Sequence, residues 1–285
     1  MKLFKKVYIE ITNVCNLSCS FCPGTARPPT FMDTDTFALI LSQLAGKTKS
    51  LYFHIMGEPL LHPKLDVLLD MAYEAGFSVN ITTNGTRIHK VAEWILNKPA
   101  LRQINFSLHS RTESQHFEQY VDRIFTFVHQ AEQLRQLYIS LRLWNLSENL
   151  HNPDNEWILA HIASTFRLER RILDDWDGRS GILLAPRVYL NQATVFEWPD
   201  INRTEEYDTA GFCRGLRDHL GILSDGTVVP CCLDAEGTIP LGNVLALSLD
   251  EIIHSPRALA MAEGFAKREL AEELCRKCGY RQRFE

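Results

Sequence analysis

Apolar strand-like segments alternate with amphipathic helix-like segments through the first 200 residues of this chain. Repeated strand–helix units with apolar strands predict a parallel sheet whose helices lie outside it. At least five such units fit in this length, so we expect an α/β fold built on a partial (β/α)6 TIM-like barrel. An open doubly wound sheet is the alternative. In a barrel, the functional residues would lie at the carboxyl ends of the strands.

The pattern also predicts the individual elements. Asp33 or Thr34 would cap the first helix, while Pro63 would open the second helix and Gly76 would close it. We expect strands at 5–12, 50–56, 77–83, 103–109 and 137–144, and helices at 33–46, 63–76, 88–98, 113–134 and 155–166.

The pattern changes from about residue 200. The stretch LGILSDGTVVPCC is typical of a β-hairpin that turns at Asp225–Gly226, and residues 248–274 are expected to be helical. We therefore predict a core domain over 1–200 and a small β-hairpin/α domain over 201–285. All eight cysteines lie near the two ends of the chain, three at 15–22 and five at 213–278. This distribution suggests two metal sites on two pieces of structure.

Composition excludes several classes of protein. The chain has no run of eighteen apolar residues, which excludes an apolar membrane-spanning helix. Its start, MKLFKKVYIEIT, lacks the apolar region and cleavage site of a signal peptide, so we expect a cytoplasmic protein whose clustered thiols bind metal. A net charge of −5 argues against general binding to nucleic acids or anionic membranes.

Three cysteines stand directly after the first expected strand, in ITNVCNLSCSFCPGT. Structural zinc sites normally have four protein ligands, and Cys15, Cys19 and Cys22 supply three. His54 or His62 could be the fourth ligand, which leaves a zinc site as one alternative. A four-iron cluster held by three cysteines is the other, and it would leave one iron open to a cofactor or substrate.

The spacing Cys15-x3-Cys19-x2-Cys22, with Phe21 before the last cysteine, resembles the cluster loop of the radical S-adenosylmethionine (SAM) enzymes. HIMGEPLLHP resembles the Gly-Gly-Glu-Pro motif of that family, with Met56 in place of the first glycine. The sequence ITTNG, which contains Asn84, matches another recurrent motif. The resemblance implies that Gly57 and Glu58 bind the amino group of SAM, that Phe21 packs near its adenine, and that Asn84, Ser107 and Arg142 are further SAM contacts.

The last third of the chain resembles the SPASM/twitch auxiliary-cluster domain, through Cys213, Gly226-x4-Cys231, LGNV and Cys275-x2-Cys278. The resemblance implies the truncated twitch form with one auxiliary four-iron cluster, and so two [4Fe–4S] clusters in all. By spacing alone, a zinc ribbon is the alternative. The remaining thiol, Cys232, is expected to be a small buried apolar group.

The family resemblance implies a reaction class. SAM would be cleaved reductively to a 5′-deoxyadenosyl radical, with electrons from an external donor such as flavodoxin or ferredoxin. The radical would oxidise a substrate C–H site, by dehydrogenation or oxidative bond formation, with the auxiliary cluster as electron acceptor and Asp234 as proton acceptor. Peptide or protein side-chain maturation is the alternative within the family, and the absence of a recognition domain before Met1 disfavours it. A non-catalytic iron–sulfur or zinc electron-transfer protein is the alternative of another class.

Each motif also has a purely structural interpretation. Gly57–Glu58–Pro59 and Asn84–Gly85 are typical of ordinary turns. Ser107 and Arg142 could be a barrel-interior residue and a surface residue, and Asp234 could be a solvated carboxylate at the end of the hairpin. His54 and His109 are expected to be hydrogen-bonded barrel residues.

Overall fold

A computed structural model of the chain describes residues 3–110, 117–134, 137–169, 181–207 and 209–284. Its strands are β1 (Lys6–Ile9), β2 (Ser50–Phe53), β3 (Ser78–Thr83), β4 (Leu101–Ser107), β5 (Tyr138–Leu146), β6 (Ile182–Ala185), β7 (Val188–Thr194), β8 (His219–Ile222), β9 (Thr227–Val229) and β10 (Gly242–Asn243). Its helices are α1 (Thr34–Leu44), α2 (Leu65–Glu74), α3 (Ile88–Ile95), α4 (Phe117–Leu134), α5 (Glu156–Thr165), α6 (Leu249–Ile253), α7 (Pro256–Lys267) and α8 (Glu273–Arg276). Within these residues, no helix is both long and apolar enough to cross a membrane.

The first of two compact units comprises residues 1–79 and 196–285. Its strands follow the order β10-β9-β8-β1-β2, and β1 is parallel to both β2 and β8. The strands β8, β9 and β10 are joined antiparallel, and the turn at Asp225–Gly226 lies where the sequence predicted it, with Gly226 at φ +85°. Val7 and Ile9 of β1 are fully buried in the apolar core of this unit.

The second unit comprises residues 80–195, and β3 runs into it from the first. Its strands follow the order β3-β4-β5-β7-β6. β5 is parallel to β4 and to β7, and β6 forms the antiparallel edge. Parallel strands alternate with helices in both units, so the expected α/β class is confirmed. The sequence pattern had not identified the parallel strand β7.

The helix boundaries follow local chemistry. Asp33, not Thr34, caps α1, because its Oδ1 accepts a hydrogen bond from the N–H of Thr36 at 2.8 Å. The second helix begins at Leu65, two residues after Pro63, and Gly76 follows its end with φ +78°. The predicted helix 113–134 is described from Phe117 onward, and its first residues lie outside the described residues.

The single helix expected over 248–274 is wrong, because three helices occupy this stretch. Ser255 has an extended backbone with ψ 152°, and its side chain caps the helix that Pro256 opens. Proline at this first position has no N–H to continue the preceding helix. Arg268 then ends α7 in the left-handed region, with φ 62°.

Candidate functional site

The three-cysteine loop follows β1 and is closed at its base by side-chain hydrogen bonds. The hydroxyl of Thr12 donates to the carbonyl of Thr30 at 2.8 Å, and the side chain of Asn13 binds both the carbonyl of Pro28 and the N–H of Thr30. Thr12 and Asn13 are themselves buried. The sequence between them and Pro28 is therefore held as one loop at the carboxyl end of β1.

The three cysteines lie within this loop with their side chains accessible. Cys15 and Cys22 are exposed and Cys19 is half-buried, and a turn brings the N–H of Cys22 to within 3.1 Å of the carbonyl of Cys19. All eight cysteines of the chain are thiols rather than disulfides. Three accessible thiols on one short loop fit an iron–sulfur cluster that keeps one ligand position open.

The Met56–Glu58 segment packs directly against the start of the loop. The N–H of Glu58 donates to the carbonyl of Val14 at 2.8 Å. Gly57 has φ +76°, and a Cβ there would lie 2.4 Å from the carbonyl oxygen of Thr12. Only glycine fits at this position, since both the backbone angle and the close approach exclude a side chain.

Met56, which replaces a glycine of the family motif, does not share the positive φ of Gly57. This is the condition under which the replacement costs nothing in backbone strain. Its buried side chain brings Sδ to 4.0 Å from Sγ of Cys22. The methionine therefore lies beside the loop rather than distorting it.

Glu58 is buried, with 2% of the residue exposed. One carboxylate oxygen accepts from the N–H of Leu60 at 3.0 Å and so caps a short 3₁₀ helix over Pro59–Leu61. The pKa of the Cys15 thiol is raised, mainly because the surrounding loop removes it partly from water, and the nearby charge of Glu58 raises it further. Glu58 is thus both a turn-capping residue and a buried carboxylate beside Cys15. Its role in binding SAM stays a prediction.

Sequence reasoning missed a second buried carboxylate, Glu10, which is fully inaccessible at the end of β1. Nη2 of Arg27 lies 2.7 and 2.8 Å from its two oxygens. The backbone N–H groups of Met56 and Ser224 also donate to it, as does the hydroxyl of Ser224. An acidic residue within the apolar run 7–11, with an arginine seventeen positions later, was the available signal.

The five late cysteines lie near one another in the first unit. Removal from water is the largest cause of the raised pKa values of Cys231 and Cys275; the neighbouring thiolates, first Cys232 for Cys231 and first Cys213 for Cys275, raise those values further. Four of these thiols belong to the loop before β8, the turn after β9, α8 and the second residue after α8: Cys213, Cys231, Cys275 and Cys278. Four half-buried thiols near one another are the donor set of a closed iron–sulfur cluster, so these residues fit the group.

Arg281 accompanies the four thiols. It is a fully buried guanidinium (2% exposed) whose Nη1 donates to the carbonyl of Ala210 at 3.0 Å. Its positive charge lowers the pKa of Cys213 and of Cys278, against the larger effect of burial. The sequence analysis did not identify this residue.

The zinc alternatives find little support in the histidines. Both ring nitrogens of His62 are used, with Nε2 3.0 Å from the carbonyl of Met32 and Nδ1 accepting from the N–H of Lys64. His54 packs edge-on against Tyr8 and Tyr52. Over the described ranges, no three or more His, Cys, Asp or Glu side chains are arranged to hold a single metal ion.

Cys232 is half-buried in an apolar cluster that includes Met56 and Leu223, and its thiol is hydrogen-bonded with Tyr8. Burial raises the pKa of this thiol to about 11. These contacts agree with the expected apolar role, although the side chain is less enclosed than predicted.

The solvated alternative for Asp234 is wrong, because only 2% of this residue is exposed. Its two carboxylate oxygens accept from the N–H groups of Thr238 and Ile239, each at 2.8 Å, and burial raises its pKa. The tight loop that follows the hairpin folds back over the carboxylate, which therefore stabilises that loop. Its catalytic role stays a prediction.

Phe21 is half-buried in the three-cysteine loop, and the remaining candidates belong to the second unit: Asn84 just after β3, Ser107 at the end of β4 and Arg142 in the middle of β5. Asn84 follows β3 and forms an ordinary turn, accepting from the N–H and hydroxyl of Thr86. Ser107 and Arg142 are opposite each other in the register of β4 and β5. The Arg142 guanidinium lies 4.6 Å from the ring centre of Trp144, and both Arg142 and Ser107 are half-buried.

His109 is hydrogen-bonded as expected, with Nδ1 3.1 Å from the carbonyl of Arg142. Burial lowers its pKa to about 4, so the imidazole is neutral at physiological pH. The structure thus confirms a structural environment for this histidine.

Comparison with known protein families agrees with the two cysteine sites. The chain matches the Radical SAM superfamily over residues 9–137 and the SPASM iron–sulfur cluster-binding domain over residues 213–279. The first match contains the three-cysteine loop and the second contains all five late cysteines. Neither range reaches residue 200, so the predicted domain boundary there stays a prediction.

Curated relatives match over shorter stretches. A tungsten-containing aldehyde ferredoxin oxidoreductase cofactor-modifying protein of Pyrococcus furiosus is 36% identical over 86 residues, 29% of this chain and 24% of that protein. An S-adenosyl-L-methionine-dependent 2-deoxy-scyllo-inosamine dehydrogenase of Niallia circulans is 31% identical over 78 residues, 26% of this chain and 31% of that protein. The matched stretches thus span about a quarter to a third of these two relatives.

Solved structures match over nearly the whole chain. BtrN in complex with AdoMet and 2-DOIA has a TM-score of 0.61 at 18% identity, covering 97% of this chain and 93% of BtrN. Streptococcus suis SuiB bound to its precursor peptide SuiA has a TM-score of 0.62 at 17% identity, covering 98% of this chain and 70% of SuiB. At these identities the likeness shows a shared fold.

Proposed function

Because the chain belongs to the radical SAM enzyme family and carries a SPASM iron–sulfur domain, we propose that it cleaves SAM reductively and oxidises a C–H site of its substrate. The observation that carries this proposal is the pairing of two different cysteine sites in one chain. One is a single short loop that carries three accessible thiols, and the other is a set of four half-buried thiols from separate segments.

Cys15, Cys19 and Cys22 would hold the first cluster and leave one iron position open to SAM. When bound, this cluster and SAM supply one-electron cleavage to a 5′-deoxyadenosyl radical, and a second, closed cluster supplies an electron-accepting site. The closed cluster would be held by the four half-buried thiols: Cys213, Cys231, Cys275 and Cys278. Two [4Fe–4S] clusters and one SAM are therefore the proposed cofactors.

The protein's own groups would position SAM. Glu58 already lies beside Cys15, and its second oxygen and the backbone at Gly57 are proposed to bind the amino group of SAM. Phe21 is half-buried one residue before Cys22 and is proposed to pack against the adenine. Asn84, Ser107 and Arg142 are proposed as the further SAM contacts of the second unit.

The net reaction is a two-electron oxidation. One hydrogen atom leaves the substrate and ends on 5′-deoxyadenosine, and one proton and one electron leave the same substrate afterwards, forming a new double bond or ring bond. The external donor, a flavodoxin or ferredoxin, supplies the electron that SAM cleavage consumes. Asp234 is the proposed proton acceptor near the auxiliary cysteines, and its two bonds to backbone N–H groups hold the carboxylate in place.

We favour a small polar molecule as the substrate. The Niallia circulans relative is a dehydrogenase of an inosamine, and BtrN is matched over 93% of its length. A peptide or protein maturase is the second candidate, which the similarity to SuiB supports. A non-catalytic electron-transfer protein is the third.

Anaerobic reconstitution with iron and sulfide, followed by SAM and dithionite, tests the reaction class. We expect 5′-deoxyadenosine to form, and we expect more of it when the true substrate is present. A fully iron-loaded protein that binds no SAM and forms no 5′-deoxyadenosine would leave the electron-transfer alternative. The same reaction is then run with a panel of aminocyclitols and sugars and with a panel of cysteine- or lysine-containing peptides. The panel that increases 5′-deoxyadenosine formation distinguishes the small-molecule enzyme from the peptide maturase.

A further inference from the structure

The fully buried carboxylate of Glu10 is the meeting point of three segments of the first unit. Arg27 reaches it from the far end of the three-cysteine loop. The N–H of Met56 reaches it from the segment that contains Gly57 and Glu58, at 3.2 Å. The N–H and hydroxyl of Ser224 reach it from the β8–β9 hairpin of the SPASM domain, at 3.2 and 3.0 Å.

Arg27 makes a second connection in the same direction. Its Nε donates to the carbonyl of Ala235 at 2.9 Å, three residues after Cys232. The adjacent N–H of Ala26 donates to the side chain of Glu236 at 3.2 Å. The end of the three-cysteine loop is thus hydrogen-bonded both to Glu10 and to the segment that follows Cys231 and Cys232.

A buried ion pair adds little net stability to a fold. Removing both charges from water costs about as much as their attraction returns, so such a pair is weak support for stability as such. Its value lies in geometry, because a guanidinium and a carboxylate held by several hydrogen bonds accept few alternative arrangements. Here the fixed arrangement includes two segments that flank the proposed SAM site.

We propose that Glu10 and Arg27 are positioning residues that hold the three-cysteine loop and the Met56–Glu58 segment at the spacing that SAM binding needs. The proposal rests on the proposed function. Ser224 and Ala235 belong to the same network. SAM affinity at the first cluster would therefore also depend on the fold of the SPASM domain. Neither residue touches SAM in this role, and both act through the segments they hold.

The test compares Glu10→Gln with a matched control, Lys47→Met. Lys47 is 6% exposed, and its Nζ lies 2.7 Å from Asp250, so this pair also joins the two sequence segments of the first unit. Unlike Glu10, it has no hydrogen bond to the loop or to residues 56–58. Both variants remove one partner of an ion pair that includes a buried residue, and only one of them affects the proposed network.

Two measurements are made on each folded variant. In the metal-free protein, hydrogen exchange should become faster over residues 14–30 and 56–58 in Glu10→Gln and remain unchanged there in Lys47→Met. In the iron-loaded protein, Glu10→Gln should weaken SAM binding by about tenfold, as loss of outer-shell support does. It should also alter the change that SAM causes in the electron paramagnetic resonance spectrum of the reduced protein.

Wild-type SAM affinity and wild-type exchange in folded Glu10→Gln would overturn the proposal, as would equal effects in Lys47→Met. If Glu10→Gln does not fold, Arg27→Lys decides the question, because lysine keeps the charge but cannot bind Glu10 and the Ala235 carbonyl together. Unchanged SAM affinity in Arg27→Lys would then overturn it. If the wild-type protein itself binds no SAM, the proposed function fails, and the exchange experiment on metal-free protein still tests the pair.

Discussion

The N–H of Glu58 donates to the carbonyl of Val14 at 2.8 Å, which places the Gly57–Glu58 backbone against the residue that precedes Cys15. These two positions are far apart in sequence, and each belongs to a motif identified independently. Their contact depends on Gly57, whose φ of +76° and missing side chain let the two backbones approach.

Gly57→Ala should destabilise the protein more than a glycine substitution that has the same backbone angle but open space. Gly76 is such a control, because its φ is +78° and an added Cβ would meet nothing within 4 Å. Gly76→Ala should cost about 1–2 kcal/mol for the left-handed backbone. Gly57→Ala should cost about 1–3 kcal/mol more for the clash with Thr12 and Asn13. Urea unfolding of the metal-free protein measures both, and equal losses would show that the loop moves aside at no cost.

Glu58→Gln should raise the Kd for SAM by about tenfold, as expected from loss of a charge-assisted hydrogen bond. The glutamine keeps an oxygen that can accept from the N–H of Leu60, so the 3₁₀ turn and the cluster content should survive. Calorimetry of the iron-loaded variant checks the affinity, and absorption spectra check the clusters. Undiminished SAM binding would leave Glu58 with its turn-capping role alone.

Changing Cys15, Cys19 and Cys22 together to Ala should lower the iron content from about eight to about four per chain. It should also abolish 5′-deoxyadenosine formation. The auxiliary thiols belong to other segments of the first unit and should keep their iron. Metal analysis of anaerobically prepared protein provides the check. Near-stoichiometric zinc with little iron in the parent protein would contradict the cluster assignment.

Changing Cys275 and Cys278 to Ala should separate SAM cleavage from product formation. The three-cysteine loop is untouched, so 5′-deoxyadenosine should still form, while the oxidised product should be lost with its electron acceptor. Chromatographic measurement of both compounds in one reaction gives the answer. Product at the parent rate, with the auxiliary iron shown to be gone, would leave the SPASM domain a structural role.

Arg281→Met should lower the reduction potential of the auxiliary cluster. A buried guanidinium favours added negative charge, so its removal makes reduction harder. The control is Arg257→Met, whose guanidinium is partly exposed and paired with Glu272, also in the SPASM domain. A redox titration followed by electron paramagnetic resonance compares the two variants. Equal potentials would mean that the charge of Arg281 does not act on the cluster.

Features that depend on neighbours in sequence could be predicted from the chain alone. The alternation of strands and helices, the cap at Asp33, the turn at Asp225–Gly226 and the triplet beginning at Cys15 are all set by residues a few positions apart. Local backbone preference and metal-ligand spacing act over that range. The helix expected over 248–274 was wrong, although the signal that divides it is also local. Ser255 and Pro256 start a new helix there, and the apolar periodicity of the whole stretch does not show this break.

Only the tertiary structure decided which distant groups meet. The burial of Glu10 depends on its contacts with Arg27, Met56 and Ser224, which come from distant parts of the chain. Asp234 is buried, not solvated, because the loop that follows it folds back over its carboxylate. The same holds for Arg281, which burial places beside Cys213 and Cys278. Burial and charge pairing depend on what packs against a residue from elsewhere in the chain. The spacing of two residues in the sequence does not give the distance between them in the folded protein.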